Sequence, residues 1–170
     1  KTLFPYTTLF RSEHILLEQR SADYVAARIR AGILEQVSVD LLKIAGVDQH
    51  LNRDGLPHSG IEILTQGQKH RLDLAALTGG KQVTVYGQTE VTKDLMHARE
   101  QAGLSSYYEA HNVQVEDSYT QPKVTFEYQN QSYQIECDFI AGCDGFHGVC
   151  RASVPEDKIK TFEKVYPFGW

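Results

Sequence analysis

No stretch of this 170-residue sequence approaches the roughly 18 to 20 consecutive apolar residues that a membrane-spanning helix needs. Residues 1–12 hold Leu3, Phe4, Leu9 and Phe10, but Pro5 and Arg11 interrupt them, and the continuous apolar segment and small-residue cleavage site of a secretory signal are missing. Cysteine is scarce. The three residues, Cys137, Cys143 and Cys150, are odd in number and fit neither a disulfide framework nor zinc-ligand spacing. They imply a reducing cytoplasm, with Cys137 and Cys143 packed as small hydrophobes in apolar surroundings. The formal net charge is -5 and no basic block stands out, so a nucleic-acid partner has no electrostatic footprint. His58, His70, His97 and His111 stand at no metal-ligand spacing, and Ser105-Ser106 lies in no nucleophile elbow. Metal-centred and serine-hydrolase chemistry lose their support. Repeats and low-complexity linkers are absent as well. What remains, at 41% hydrophobic and 23% charged, is an ordinary globular composition long enough for one domain with a core.

Along the chain, His14 to Glu18 reads as a short strand ending in a carboxylate, and a polar stretch follows to Gly32. From Ile33 the apolar residues Leu34, Val37, Leu41, Ile44 and Ala45 recur at helical intervals, with Gly46 as a C-cap. Gly60–Leu64 and Lys69–Leu74 form short strands around the turn Gln66-Gly67-Gln68, and Val83–Tyr86 is a further β-type run. Thr89–Ala102 reads as a second helix with Val91, Leu95, Met96 and Ala102 on its apolar stripe. Three alternating segments follow: Val113 and Val115; Val124, Phe126 and Tyr128; Tyr133, Ile135 and Cys137. Gln129–Ser132 turns the last two into a hairpin, without the usual Asn-Gly signal. Phe139-Ile140-Ala141 is a continuous apolar run of the kind buried on both faces, leading into Gly142-Cys143-Asp144-Gly145-Phe146-His147-Gly148.

Three places carry possible chemistry. A carboxylate such as Glu18 at the C-terminal end of a strand is where nucleotide-binding α/β folds hold a ribose diol, although spacing alone fits an exposed acid more simply. Arg28 and Arg30 point the same way in an extended segment, so two guanidiniums face one pyrophosphate. Gly32 then lets backbone approach a flat ring, and Ile33 begins a helix whose N-terminus favours negative charge. A charged loop leading into a helix is the simpler alternative. Asp144 accepts either from a ribose hydroxyl or from backbone amides in an Asx-type turn, and for a lone Asp-Gly the turn is the commoner use.

Taken together, Leu17-Glu18, Asp23-Tyr24, Arg28-Ile-Arg30-Ala-Gly32, Leu34-Glu35-Gln36, Val85-Tyr-Gly-Gln-Thr-Glu90, Asp138–Gly148 and Tyr166-Pro-Phe-Gly-Trp170 resemble the FAD-dependent aromatic-ring hydroxylases. The arginine segment and the Tyr-Gly-Gln-Thr-Glu run narrow the resemblance to members acting on 4-hydroxybenzoate. It extends from about His14 to the end. It implies an α/β, Rossmann-like FAD-binding fold of the glutathione-reductase type, with a β-meander and a substrate domain. By that resemblance Glu18 holds the adenosine ribose, Arg28 and Arg30 lie by the phosphates, and Ala31, Gly32 and Ile33 line the flavin approach. Gln88 contacts the cofactor from a helix N-terminus, and Asp144 and Gly145 match the family's dinucleotide-associated Asp-Gly motif. Tyr24, His147, Arg151 and the pair Gln19-Arg20 match the region implicated in binding NADPH or NADH. The family has its basic residue one position earlier, where Gln19 stands, which leaves the nicotinamide preference open. The implied reaction passes hydride to FAD, after which the reduced flavin activates oxygen and hydroxylates the phenol beside its hydroxyl group. A homodimer is the assembly the resemblance suggests.

Two departures shape the expectation for these 170 residues. Lys1–Ser12 does not resemble the family's first strand and Gly-x-Gly-x-x-Gly turn, and looks instead like translated adapter DNA. Trp170 falls where the family's substrate domain begins, before the segments that bind and deprotonate the phenol, so no catalytic residue is assigned. The expected organisation is therefore a non-native leader over 1–12, a partial FAD-binding domain over 13–160 and the start of a substrate domain over 161–170. This predicts weak or absent FAD binding, no turnover, and unpartnered apolar side chains at Tyr166, Phe168 and Trp170. A non-catalytic nucleotide-binding module and a flavin hydroxylase of another phenol are the rival readings.

Overall fold

The carboxylate-tipped strand of the sequence is real. In the computed structural model, which describes residues 14–28, 31–116 and 120–168, β1 (Leu16–Glu18) pairs in parallel with β7 (Ser106–Tyr108), setting Glu18 opposite Tyr108. The chain divides into two units, Lys1–Tyr108 and Glu109–Trp170. In the first, the polar stretch after β1 contains a helix that periodicity did not reveal, α1 (Ala22–Ala27). Ser21 starts it by accepting from the Tyr24 amide through its hydroxyl. A three-stranded antiparallel sheet follows in the order β2 (Ile33–Glu35), β6 (Val83–Val85), β3 (Leu56–His58). Ile33 thus lies in a strand opposite Val85, and does not open a helix. The helix, α2 (Gln36–Ile44), starts three residues later. Two β-branched or apolar residues ahead of Glu35 suit a strand edge, and cross-strand pairing with β6 overrides the helical spacing that Leu34 shares with Val37.

Two short elements, α3 (Gln49–Asp54) and α4 (Leu74–Thr78), also lie below the length at which an apolar stripe becomes legible. Between them β4 (Gly60–Thr65) and β5 (Gln68–Asp73) form a hairpin about Gln66 and Gly67, both at positive φ. The long helix α5 (Gln88–Gln101) sits within one residue of its expected limits, with Gly103 in the left-handed conformation after it.

The second unit is a meander, β8 (His111–Glu116), β9 (Lys123–Tyr128) and β10 (Gln131–Glu136), with β9 central. Its hairpin uses Gln129 and Asn130 at φ of 51° and 60°, the turn geometry that glycine normally supplies. Phe126 and Val124 are buried from the central strand, and Phe126 stacks on its cross-strand partner Tyr133 with ring centroids 5.4 Å apart. A short helix, α6 (Val149–Ala152), completes the described elements.

Two sequence expectations fail in this unit. Phe139-Ile140-Ala141 is not a strand buried on both faces: Phe139 is 91% exposed and no described strand pairs with the run. Burial of such a run requires neighbours on both sides, and the meander does not supply them. Cys143 is exposed, whereas Cys137 is half-buried with its thiol facing the Pro122 carbonyl. Tyr166 and Phe168 stand largely exposed, and Trp170 lies outside the described residues.

Because Phe126 anchors the meander, Phe126→Ala is expected to destabilise this unit by about 3 kcal/mol. Urea unfolding followed by far-UV circular dichroism checks it, and a change under 1 kcal/mol would contradict that anchoring role.

Candidate functional site

In the first unit the cofactor-type residues gather at one close approach of backbone. The Tyr86 amide donates to the Gly32 carbonyl at 2.9 Å, just beyond the β2–β6 ladder. A Cβ on Gly32 would stand 2.8 Å from Gly87 Cα and 3.0 Å from the Tyr86 carbonyl oxygen, so no other residue fits there without displacing main chain. Thr89 Oγ1 donates to the Arg28 carbonyl at 3.1 Å, fastening the start of α5 to the end of the arginine segment. Arg28, Gly32 and Gln88 are therefore brought together. Ile33, two-thirds exposed, lies beside them on β2. Arg30 falls outside the described residues, so its pairing with Arg28 is not part of this geometry. Ala31 is exposed immediately before Gly32.

Gly87 occupies the N-cap of α5, and no side chain caps the helix. Its first amides therefore point outward with the positive end of a four-turn helix dipole behind them. Glu18 sits half-buried at the end of β1, where one carboxylate oxygen accepts from the Arg20 amide at 2.7 Å. Arg20 in turn lies over the Tyr24 ring, 5.3 Å from its centroid. Gln19 is exposed next to it. Burial pushes the Tyr108 phenol up, with the neighbouring Glu18 charge adding to the shift. A cleft of about 490 Å³ opens in this unit between α1 and α5, lined by Ala22, Ala26, Met96, His97, Ser106 and Tyr108.

The second unit holds the Asp-Gly motif. Asp144 does not project as a free ligand. Its carboxylate accepts from the Cys150 amide at 2.9 Å and so closes the N-terminal turn of α6. The Cys150 amide is the main cause of a carboxyl held below the usual range. Gly148 is glycine for a steric reason, because a Cβ there would occupy the space of the Asp144 carboxylate itself. Gly145, at φ 72°, makes the turn between them. Burial, then the Asp144 carboxylate, pushes the Cys150 thiol up to about 11, so it is a neutral thiol and no nucleophile. Beside the turn a cleft of about 580 Å³ is lined by Val115, Ile140, Asp144, Phe146, Arg151 and Val154. Phe146 holds two predicted residues together: His147 meets its ring edge-on at 5.0 Å and Arg151 lies over it at 5.3 Å. No spacing rule would have singled out Phe146 or Thr89, since each acts through tertiary contacts alone. Gly148 was legible, as the third of three glycines at intervals of three.

The fold and these residues together define a class of protein. The chain belongs to the FAD binding domain family, which matches residues 9–170. It is 79% identical over 158 residues to p-hydroxybenzoate hydroxylase of Acinetobacter baylyi (strain ATCC 33305 / BD413 / ADP1), an alignment covering 93% of this chain and 39% of that protein. The chain therefore spans well under half the length of that relative. Among solved structures it resembles the flavin-dependent monooxygenase PieE in complex with FAD and substrate (TM-score 0.69, 15% identity, 87% of this chain and 28% of that one). It also resembles OxyS anhydrotetracycline hydroxylase from Streptomyces rimosus (TM-score 0.65, 17% identity, 83% of this chain and 28% of that one). At those identities the likeness is one of fold, a mixed α/β FAD-binding fold. The residues present fit such a dinucleotide: an uncapped helix N-terminus suits the phosphates, and the Gly32–Gly87 approach sets the Arg28 segment beside it.

Asp144 generates a signed prediction. Its folded pKa is depressed, so its contribution to stability is present above the ordinary aspartate value and is lost as pH falls through the folded value. Asp144→Asn is expected to remove that acid-limb dependence, and Gly148→Ala to do the same by ejecting the carboxylate, each at roughly 1 kcal/mol for the lost cap. Thermal melts from pH 7 down to pH 3 test this. Unaltered acid limbs in both variants would refute the capping role.

Proposed function

We propose that this chain forms FAD-binding structure of a flavoprotein monooxygenase that hydroxylates 4-hydroxybenzoate to 3,4-dihydroxybenzoate, with NADPH or NADH and O2 as co-substrates. The observation that carries this is the Gly32–Gly87 contact, which sets Arg28, Ile33 and Gln88 around one uncapped helix N-terminus in a chain 79% identical to a p-hydroxybenzoate hydroxylase. FAD, when bound, supplies hydride acceptance and oxygen activation. The chain's own residues bind and orient. The Glu18 carboxylate keeps one oxygen on the Arg20 amide and has the other for a ribose hydroxyl. Amides of the α5 first turn, with Arg28 beside them and Arg30 in the same segment, neutralise the pyrophosphate. Ala31, Gly32 and Ile33 offer backbone and an apolar side chain to the ring. In the second unit Asp144 and Gly145 act through the turn they build. His147 and Arg151, held by Phe146, are the nicotinamide-side groups there, and Arg20 and Tyr24 are those of the first unit. The described residues contain no metal-binding cluster and no helix long and apolar enough to cross a membrane, and the three cysteines are free.

No Gly-x-Gly-x-x-Gly turn occurs in the 170 residues, so by themselves they are expected to hold the pyrophosphate weakly. Titration of the purified protein into FAD, followed by flavin fluorescence, is expected to give a Kd on the order of 10 μM, about -7 kcal/mol. Glu18→Ala should weaken it about tenfold through loss of a charge-assisted hydrogen bond. A Glu18→Ala affinity equal to that of the parent, or no saturation at all, would sink the assignment.

A further inference from the structure

We infer that Asp94 is a positioning residue for the turn Tyr86-Gly87-Gln88, holding it through the Tyr86 hydroxyl while His50 holds Asp94. The three side chains come from three different elements. Tyr86 follows β6 and is 5% exposed, Asp94 lies on α5, and His50 lies on α3. Tyr86 donates its hydroxyl to one Asp94 oxygen at 2.7 Å, and His50 Nδ1 meets the other at 2.5 Å. An ionised carboxylate only accepts, so the ring nitrogen facing it carries the proton. The Asp94 side chain is 12% exposed and that of His50 53%, so the carboxylate is shielded by the ring and the phenol.

The charged surroundings are specific. Arg53 and Asp54, from the same α3, form a pair at 2.7 Å, and Arg53 interacts with both Tyr86 and Asp94. Glu90 is the further carboxylate acting on the phenol from α5, itself paired with Lys93 at 2.9 Å. Burial and then the Asp94 hydrogen bond raise the Tyr86 phenol well above the ordinary tyrosine range, so it remains a donor. Tyr86 therefore has both ends fixed. Its amide is bonded to Gly32 and its hydroxyl to Asp94, two turns along the helix that the next residues begin. The position of Gly87 and Gln88 against Gly32 is set by these two anchors. Loss of the carboxylate frees one of them and leaves a buried phenol without its acceptor.

The description of this turn as cofactor-facing rests on the proposed function; the positioning does not. Hydrogen exchange measured by mass spectrometry on the whole 170-residue protein separates them. Asp94→Ala and Tyr86→Phe are each expected to accelerate exchange about tenfold in peptides covering 84–90 while peptides from β9 and β10 keep their protection. Because the Tyr86–Asp94 bond is lost in both variants, the double variant should exchange no faster than Asp94→Ala alone. His50→Gln, which retains an N–H donor, should restore most of the protection that His50→Ala loses. Lys93→Ala serves as a control on the same helix and should leave 84–90 unchanged. Unchanged exchange at 84–90 in Asp94→Ala, additive effects in the double variant, or uniform acceleration across the protein would each overturn the positioning role. Local loosening with FAD affinity unaltered would overturn the role toward the cofactor, while failure of the parent to bind FAD strikes the proposed function alone.

Discussion

The contact between two glycines is the constraint on which the first unit depends. Gly32 approaches Gly87 at a separation that leaves no room for a Cβ on Gly32, and the hydrogen bond from Tyr86 to Gly32 fixes the register of that approach. The arrangement at the start of α5 follows from it. Arg28 is fastened through Thr89, α5 begins one residue later, and Gln88 sits in its first turn. Glycine at the N-cap brings no side chain to the first amides of the helix. The helix consequently presents unsatisfied amides where an anion can use them.

The second unit solves a different problem with the same residue type. Asp144 is spent on closing a helix turn of four residues, too short to persist without help. Gly148 provides the space, and Gly145 provides the left-handed backbone that brings the carboxylate over it. An aspartate engaged this way places backbone, Phe146, His147 and Arg151 about one turn, and its chemistry is local structure.

The elements legible in the sequence were those whose signals are periodic and long enough to count. Helix α5 and the three strands of the meander lie close to their expected limits for that reason. Short elements were illegible. Helix α1 carries no apolar period within its six residues, α3 likewise, and β2 was absorbed into the helix that follows because Leu34 falls in helical phase with Val37. Tertiary pairing decided what local pattern could not. Site residues followed the same division: Glu18 at a strand end and the three glycines at 142, 145 and 148 were readable from position, whereas His50, Asp94, Thr89 and Phe146 become functional candidates only once separate elements meet.

The failed expectation at Phe139-Ile140-Ala141 has a physical lesson of its own. Apolar content predicts that a segment gains by burial, roughly 25 cal/mol per Å² of apolar surface. It does not predict that a partner exists to bury it. Phe139, Phe162, Val165, Tyr166 and Phe168 all stand largely exposed in the second unit, and Val37, Leu41 and Ile44 line an exposed face of α2 in the first. Hydrophobic pattern therefore reports the driving force for an interface, while side-chain exposure reports whether the described residues complete it. Where the two disagree, as along α2 and after β10, the described packing leaves apolar surface that ordinary monomers keep covered. The polar constellations show the opposite relation. Asp144 and Asp94 have their acceptors engaged, and no buried polar side-chain atom lacks a partner among the described residues. Directional bonds within each unit are satisfied locally, so the site geometry at Gly32 and at Asp144 is set by contacts that do not depend on covering the apolar faces.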